Sequence, residues 1–278
     1  MRGGSPGGQA RVSSLTRNLK FTLAYDGSSF VGWQRQAEGE SIQGVLEDVL
    51  AKFEGAPVVV HGAGRTDAGV HALGQVASAR LGSELDETTL VRAVNAQLPE
   101  SVRVLKIEDV ADDFHARFSA TSKTYRYVIG RGELASPFTR SFSWHVPEPL
   151  DVMAMRQAAR HLVGRHDFSA FRSVGGGSPD SVRTITRAEV LAMGVSGPAT
   201  LWGSGGETLS VELAADGFLR HMVRAIAGTL VEVGRGWRDP ESMTMLVSGV
   251  ARSEAGATAP PQGLFLVRVD YDQGACAR

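Results

Sequence analysis

A lone aspartate between two glycine turns sets the first constraint on this chain. In Gly64-Arg65-Thr66-Asp67-Ala68-Gly69-Val70-His71 the carboxylate has an arginine two residues before it and a histidine four after. The apolar run Val58-Val59-Val60 before it reads as a buried strand, and Gln75-Val76-Ala77-Ser78 after it as the start of another. A fold that accepts this stretch must hold a Gly-rich loop between two rigid elements. Reactive side chains are commonly mounted on such loops, and the glycines allow a tight turn and close approach of a ligand.

Other readings of the loop compete. Asp beside Gly is ordinary turn chemistry. A phosphate-binding P-loop would need Lys-Ser/Thr after the second glycine, and a dinucleotide fingerprint would need G-x-G-x-x-G opening a helix; neither is present. His61, Asp67 and His71 carry metal-ligating groups, but their spacing matches no common zinc pattern, so no metal is expected.

The 278 residues, 42% hydrophobic and 21% charged, describe a globular chain long enough for one large domain or two medium ones. No apolar stretch is long enough to span a bilayer. Residues 1–16 are rich in Gly, Ser and Arg without an apolar core, and read as a disordered leader rather than a signal peptide. The single cysteine, Cys276, lies in a flexible tail (273–278) and fits a reducing cytoplasm. A net charge of −1 does not point to nucleic acid. Among the 29 basic residues, however, only Lys20, Lys52, Lys106 and Lys123 are lysines. Arg stacks on bases and grips phosphate in a bidentate fashion, although a GC-rich genome also favours Arg. Arg117, Lys123, Arg126, Arg131 and Arg140 cluster in one stretch.

The periodicity predicts two α+β halves, residues 17–112 and 113–272, with mixed, mainly antiparallel sheets flanking a central cleft. In the first half, Leu19 to Tyr25 is a strand, Ser41 caps a helix ending before Gly55, Asp86 opens a second helix, and Val102 to Ile107 is a strand. In the second, residues 116–120 and 125–129 read as paired strands, and Asp151 caps a helix running to Val163. Residues 184–192 and 208–213 form a hairpin around a Gly-rich segment. Leu219, Met222, Val223, Ile226, Leu230 and Val233 mark the clearest helix, residues 240–248 another, and Leu264 to Tyr271 a closing strand.

Two second-half features bear on function. Phe114-His115-Ala116-Arg117-Phe118-Ser119-Ala120-Thr121, then Lys123-Thr124-Tyr125-Arg126-Tyr127, interleaves bases with aromatics. Tyr125 and Tyr127 share a strand face, either as a platform for unstacked bases or as core tyrosines with satisfied hydroxyls. Arg220, His221 and Arg224 group beside the apolar stripe of the clearest helix. Arg224 either meets an acidic partner at the core edge or is simply solvated.

Taken together, these segments resemble the tRNA pseudouridine synthase A family. The resemblance runs from about Leu19 to Tyr271. It rests on the Asp67 loop, Ala24-Tyr25-Asp26-Gly27, Gly32-Trp33-Gln34, Ser41-Ile42-Gln43, Asn95-Ala96-Gln97-Leu98-Pro99 and the Phe114-to-Tyr127 run. It continues through Asp167-Phe168-Ser169-Ala170-Phe171-Arg172, His221-Met222-Val223-Arg224, Ala257-Thr258-Ala259-Pro260 and Gly263-Leu264-Phe265. Residues 174–180 and 196–207 are the least family-like.

The resemblance implies the pseudouridine synthase fold. It implies conversion of uridine to pseudouridine at nucleotides 38, 39 and 40 of the tRNA anticodon stem-loop, by a cytoplasmic homodimer needing no cofactor. It makes Asp67 the catalytic aspartate and Arg224 its basic partner, offsetting the cost of burying the charge. Tyr125 is then the tyrosine packed on the target base, Arg65 the arginine that helps displace the nucleotide, and Leu264 an apolar lining of the base pocket. A single carboxylate suits the chemistry as nucleophile or base; attack at C1′, help with proton loss at C2′ and addition to the base all remain open.

Overall fold

The computed structural model describes residues 16–173, 180–193 and 208–272. Residues 1–15 of the leader, most of 174–180, the 196–207 segment and Cys276 lie outside them. Strand β1 (Arg17–Tyr25) alternates buried and half-buried positions and leads to helix α1 (Ile42–Glu54). Ser41 caps α1 by accepting the Gly44 N–H at 3.1 Å, and Gly55 ends it in the left-handed region. A two-residue strand β2 (His61–Gly62), strand β3 (His71–Leu81), helix α2 (Glu87–Asn95) capped by Asp86, and strand β4 (Val102–Asp109) complete the first half.

The second half holds β5 (Ala120–Arg131), β6 (Trp144–Val146), α3 (Val152–Arg160) capped by Asp151, β7 (Gly164–Asp167), β8 (Val182–Met193) and β9 (Thr208–Ala215). Helices α4 (Met222–Gly234) and α5 (Ser242–Leu246) and strand β10 (Leu264–Tyr271) follow.

The strands form one sheet in the order β4-β1-β3-β10-β5-β9-β8-β7, with β2 on β3 and β6 on β5. Its central pairings are antiparallel except at the seam, where β10 runs parallel to β3 through Phe265–His71 and Leu266–Ala72. The last described strand thus joins the two halves. α2 packs on β4, α3 on α4 and β8, and α4 on β5. Burial of Phe21, Leu46, Leu90, Tyr127, Phe168, Ile226 and Leu230 anchors these layers, each such side chain contributing about 1.5–3 kcal/mol.

Five expectations need correction. Residues 58–60 are not a strand: Val59 is exposed, and α1 side chains take the backbone bonds a neighbouring strand would make. Val60 N–H donates to Glu47 Oε1 at 3.2 Å, and Gln43 Nε2 donates to the Val60 carbonyl at 3.0 Å. Residues 116–119 form a turn, not a strand, closed by Ser119 N–H to the His115 carbonyl at 2.9 Å; β5 pairs instead with β10 and β9. Arg220 and His221 precede α4, because His221 has φ 61° and so cannot extend the helix. Leu162 and Val163 lie beyond α3, and the 240–248 helix shrinks to the five residues of α5.

Candidate active site

The Asp67 loop is seated on the segment that enters α1. Gly32 bridges to Asp67, and Trp33 N–H donates to the Thr66 carbonyl at 3.0 Å. Gly32 has φ 111°, and a Cβ there would fall 2.6 Å from the Thr66 carbonyl oxygen, so only glycine allows this contact. Tyr25 and Thr66 share a hydroxyl–hydroxyl bond at 2.8 Å, and Gln75 Nε2 donates to the Gly64 carbonyl at 2.8 Å. Burial pushes the Tyr25 phenol up to about 12, so it remains a neutral clamp.

His71 is 1% exposed. Its Nδ1 accepts the Gly27 N–H at 3.1 Å, and its Nε2 faces the carbonyls of Ser141 at 3.0 Å and Gln262 at 3.2 Å. These contacts suit a neutral ring with its proton on Nε2. Burial lowers its pKa against the pull of Asp26, 3.2 Å away. His61 packs against the His115 ring instead, tilted at 32° with centroids 4.7 Å apart. Among the described residues no three His, Cys, Asp or Glu side chains gather as a metal site.

The second half supplies charge. Arg224 Nη1 lies 3.6 Å from Asp67 Oδ2, and its Nε donates to the Ala259 carbonyl at 2.7 Å. That second bond depends on α4 touching the 257–259 segment: a Cβ on Gly228 would fall 1.8 Å from the Ala257 oxygen. Sequence reasoning did not single out His221 as a site residue, yet its Nε2 lies 3.3 Å from the same Asp67 oxygen. Its Nδ1 is 2.8 Å from Ser173 Oγ. A neutral imidazole with its proton on Nε2 satisfies both contacts. Burial lowers its pKa; Arg224, Arg220 and Arg252 push the same way, against Asp67. His221 is the one non-glycine residue with positive φ among those described, a strain of order 1–3 kcal/mol. The motif carries no sequence signal for this turn.

Tyr125 forms the wall. It is 7% exposed and meets Phe218 edge-on at 5.1 Å. Burial raises its pKa, and Tyr25 and Asp67 raise it further, so the phenol keeps its proton. Leu264 is buried directly opposite Tyr127, and Leu266 opposite Tyr125. These four residues therefore share one sheet face. Tyr127 donates to the Pro260 carbonyl at 2.7 Å. Arg65 stands exposed beside the loop, and like Arg220 it makes no ion pair among the described residues. The structure thus brings Asp67, Arg224, His221 and Tyr125 together, leaves Arg65 at the rim, and sets Leu264 one residue pair along the wall.

The sequence pattern that defines the tRNA pseudouridine synthase family matches residues 22–119 and 158–272. The chain belongs to that family. Proteins called tRNA pseudouridine synthase A from Syntrophotalea carbinolica and Myxococcus xanthus are each 45% identical to it. The first match covers 93% of this chain and 98% of the relative, the second 94% of each. The Geobacter sulfurreducens protein of the same name is 42% identical over 92% of this chain and all of its own length. As a family member the chain is an isomerase with an α+β fold, and its matched stretches include both the Asp67 loop and the segment carrying Arg224. Among the described residues no helix is long and apolar enough to cross a membrane.

Proposed function

We propose that this site isomerises uridine to pseudouridine in tRNA, at nucleotides 38, 39 and 40 of the anticodon stem-loop, with Asp67 as the catalytic group. The observation that carries the reading is one carboxylate on a clamped loop, faced by Arg224 and His221 on a single oxygen, beside a buried tyrosine. With both partners on Oδ2, Oδ1 is left to act as nucleophile or base. The reaction breaks N1–C1′ and joins C5 to C1′; C5 loses its proton and N1 gains one, with no redox change. Tyr125 stays protonated and packs on the detached uracil rather than serving as a resting base. Leu264 lines the base pocket.

A stacked base must be extruded at a cost of a few kcal/mol. Arg65, exposed and free of ion pairs among the described residues, can fill the gap it leaves and contact phosphate. On this reading the enzyme works in the cytoplasm as a homodimer and needs no cofactor. The test is incubation with unmodified tRNA transcript followed by mapping of pseudouridine. Product confined to nucleotides 38–40 is expected; product elsewhere, or none, sinks the reading.

A further inference from the structure

Outside the Asp67 pocket, the turn before β5 and His61 of β2 bring four side chains together at the surface. The His115 ring lies 4.7 Å from that of His61 and 4.4 Å from that of Phe118, and the Arg117 guanidinium sits 5.5 Å from the Phe118 ring. The turn fixes this arrangement in advance. His115 Nδ1 accepts the Arg117 N–H at 3.1 Å, and Ser119 Oγ accepts the His115 N–H at 3.0 Å. Phe118 is nevertheless 76% exposed. A single exposed phenyl ring is ordinary on a protein surface, but this one is held by an ordered turn directly beside a guanidinium.

Charge accompanies the ring. Arg117 is exposed, and neither it nor Lys123 makes an ion pair among the described residues. The two are close enough for the charge of Arg117 to add to burial in lowering the Lys123 pKa. Lys123 in turn runs beside the catalytic loop: its Cε and the Tyr125 hydroxyl both come within 4 Å of where a Cβ on Gly64 would sit. An unpaired cationic path therefore leads from the Asp67 loop through Lys123 to Arg117 and Phe118. Two acids, Asp112 and Asp113, stand beside the rings, in a cavity that His61 and His115 also line, and Asp112 lies 4.0 Å from Arg80.

We propose that Phe118 and His115 form a second RNA contact, on which an unstacked base of the tRNA packs while Arg117 and Lys123 hold its phosphate. An aromatic face with neighbouring cations is the chemistry that receives single-stranded nucleotides without reading their sequence. Cations beside an open aromatic face match the paired phosphate and base of a nucleotide, which is the chemistry of RNA. This inference rests on tRNA being the substrate.

The test measures affinity for unmodified tRNA transcript, at two salt concentrations, for full-length Phe118→Ala, Phe118→Leu, Phe118→Trp and Arg117→Gln, with the oligomeric state followed by sedimentation. Stacking contributes about 1–3 kcal/mol per base, so Phe118→Ala and Phe118→Leu should weaken binding roughly tenfold, while Phe118→Trp keeps it. Arg117→Gln should reduce the slope of log affinity against log salt by about one. Parental affinity in both Phe118→Ala and Phe118→Leu, or a Phe118→Trp variant as weak as Phe118→Ala, overturns the proposal. So does a changed oligomeric state with unchanged affinity per protomer, which would make this a protein interface. Because affinity is read apart from product, tRNA binding that depends on Phe118 without pseudouridine formation would defeat the catalytic reading and leave this one standing.

Discussion

The two sides of the site are held by different forces. On the first-half side, the Asp67 loop is clamped by backbone contacts and neutral hydrogen bonds: Trp33 to Thr66, Tyr25 to Thr66, Gln75 to Gly64 and His71 to Gly27. On the second-half side, α4 and the turn before it bring Arg224 and His221 to Oδ2, with Tyr125 as the wall. One half fixes shape and the other supplies charge. Neutral clamps keep a loop rigid without competing for its carboxylate, whereas charged partners are only useful if their own positions are fixed from behind, as Ala259 and Ser173 do here.

The largest effect should come where the halves meet. Asp67→Asn is nearly isosteric, so the loop should keep its shape and tRNA affinity should stay within a few-fold. Single-turnover pseudouridine formation should fall by about a thousandfold or more. Substantial product from this variant would remove the carboxylate from the mechanism.

Breaking the charged side comes next. Arg224→Ala strips the half-buried cation that faces the carboxylate. Single-turnover rates should drop by two to three orders of magnitude, with tRNA binding mostly intact. Equal losses in both would make Arg224 a phosphate contact. His221→Asn tolerates the left-handed backbone and should slow the chemical step about tenfold, roughly 1.4 kcal/mol. Ser173→Ala should move the rate the same way by less. A His221→Asn variant of parental rate would leave Arg224 as the carboxylate's only working partner.

The neutral side is tested by acid. Burial lowers the pKa of His71, so the folded protein resists a proton that the unfolded chain accepts near the ordinary imidazole value of about 6.5. This stability is present above that value and is lost as pH falls through the lowered, folded-state one. Urea midpoints should therefore decline below pH 6.5, and His71→Gln should flatten the decline. An unchanged slope would assign the acid sensitivity elsewhere. The smallest effect should be that of Tyr125→Phe. The ring remains and a hydroxyl that already keeps its proton is lost, so affinity should hold and the rate should change only a few-fold.

What the sequence disclosed follows how local each cause is. Ser41, Asp86 and Asp151 announce their helices because a cap bonds to a backbone N–H two or three residues away. Asp67 and its arginine partner were legible through motif resemblance, and the shared face of Tyr125 and Tyr127 through alternation, whereas the strands that β5 pairs with were not. Val59 misleads because long-range bonds from Glu47 and Gln43 decide that its segment stays irregular. His221 reads as helical because Leu219 and Met222 keep helical spacing; its left-handed turn accompanies bonds to Ser173 and Asp67, far away in sequence. Nor does alternation reveal that β10 lies between β3 and β5, since strand order depends on the whole sheet.

That placement of β10 has a consequence for synthesis. The loop bearing Asp67 leaves the ribosome early, and Arg224 much later. Neither can be locked against the other until Leu264 to Tyr271 emerge and slot between strands made long before. At translation speeds of about 5–20 residues per second, the loop waits on the order of ten seconds or more for its counterpart. A chain stopped before Leu264 therefore has the carboxylate without the strand that ties its loop to Arg224, and should form no pseudouridine when assayed on tRNA transcript.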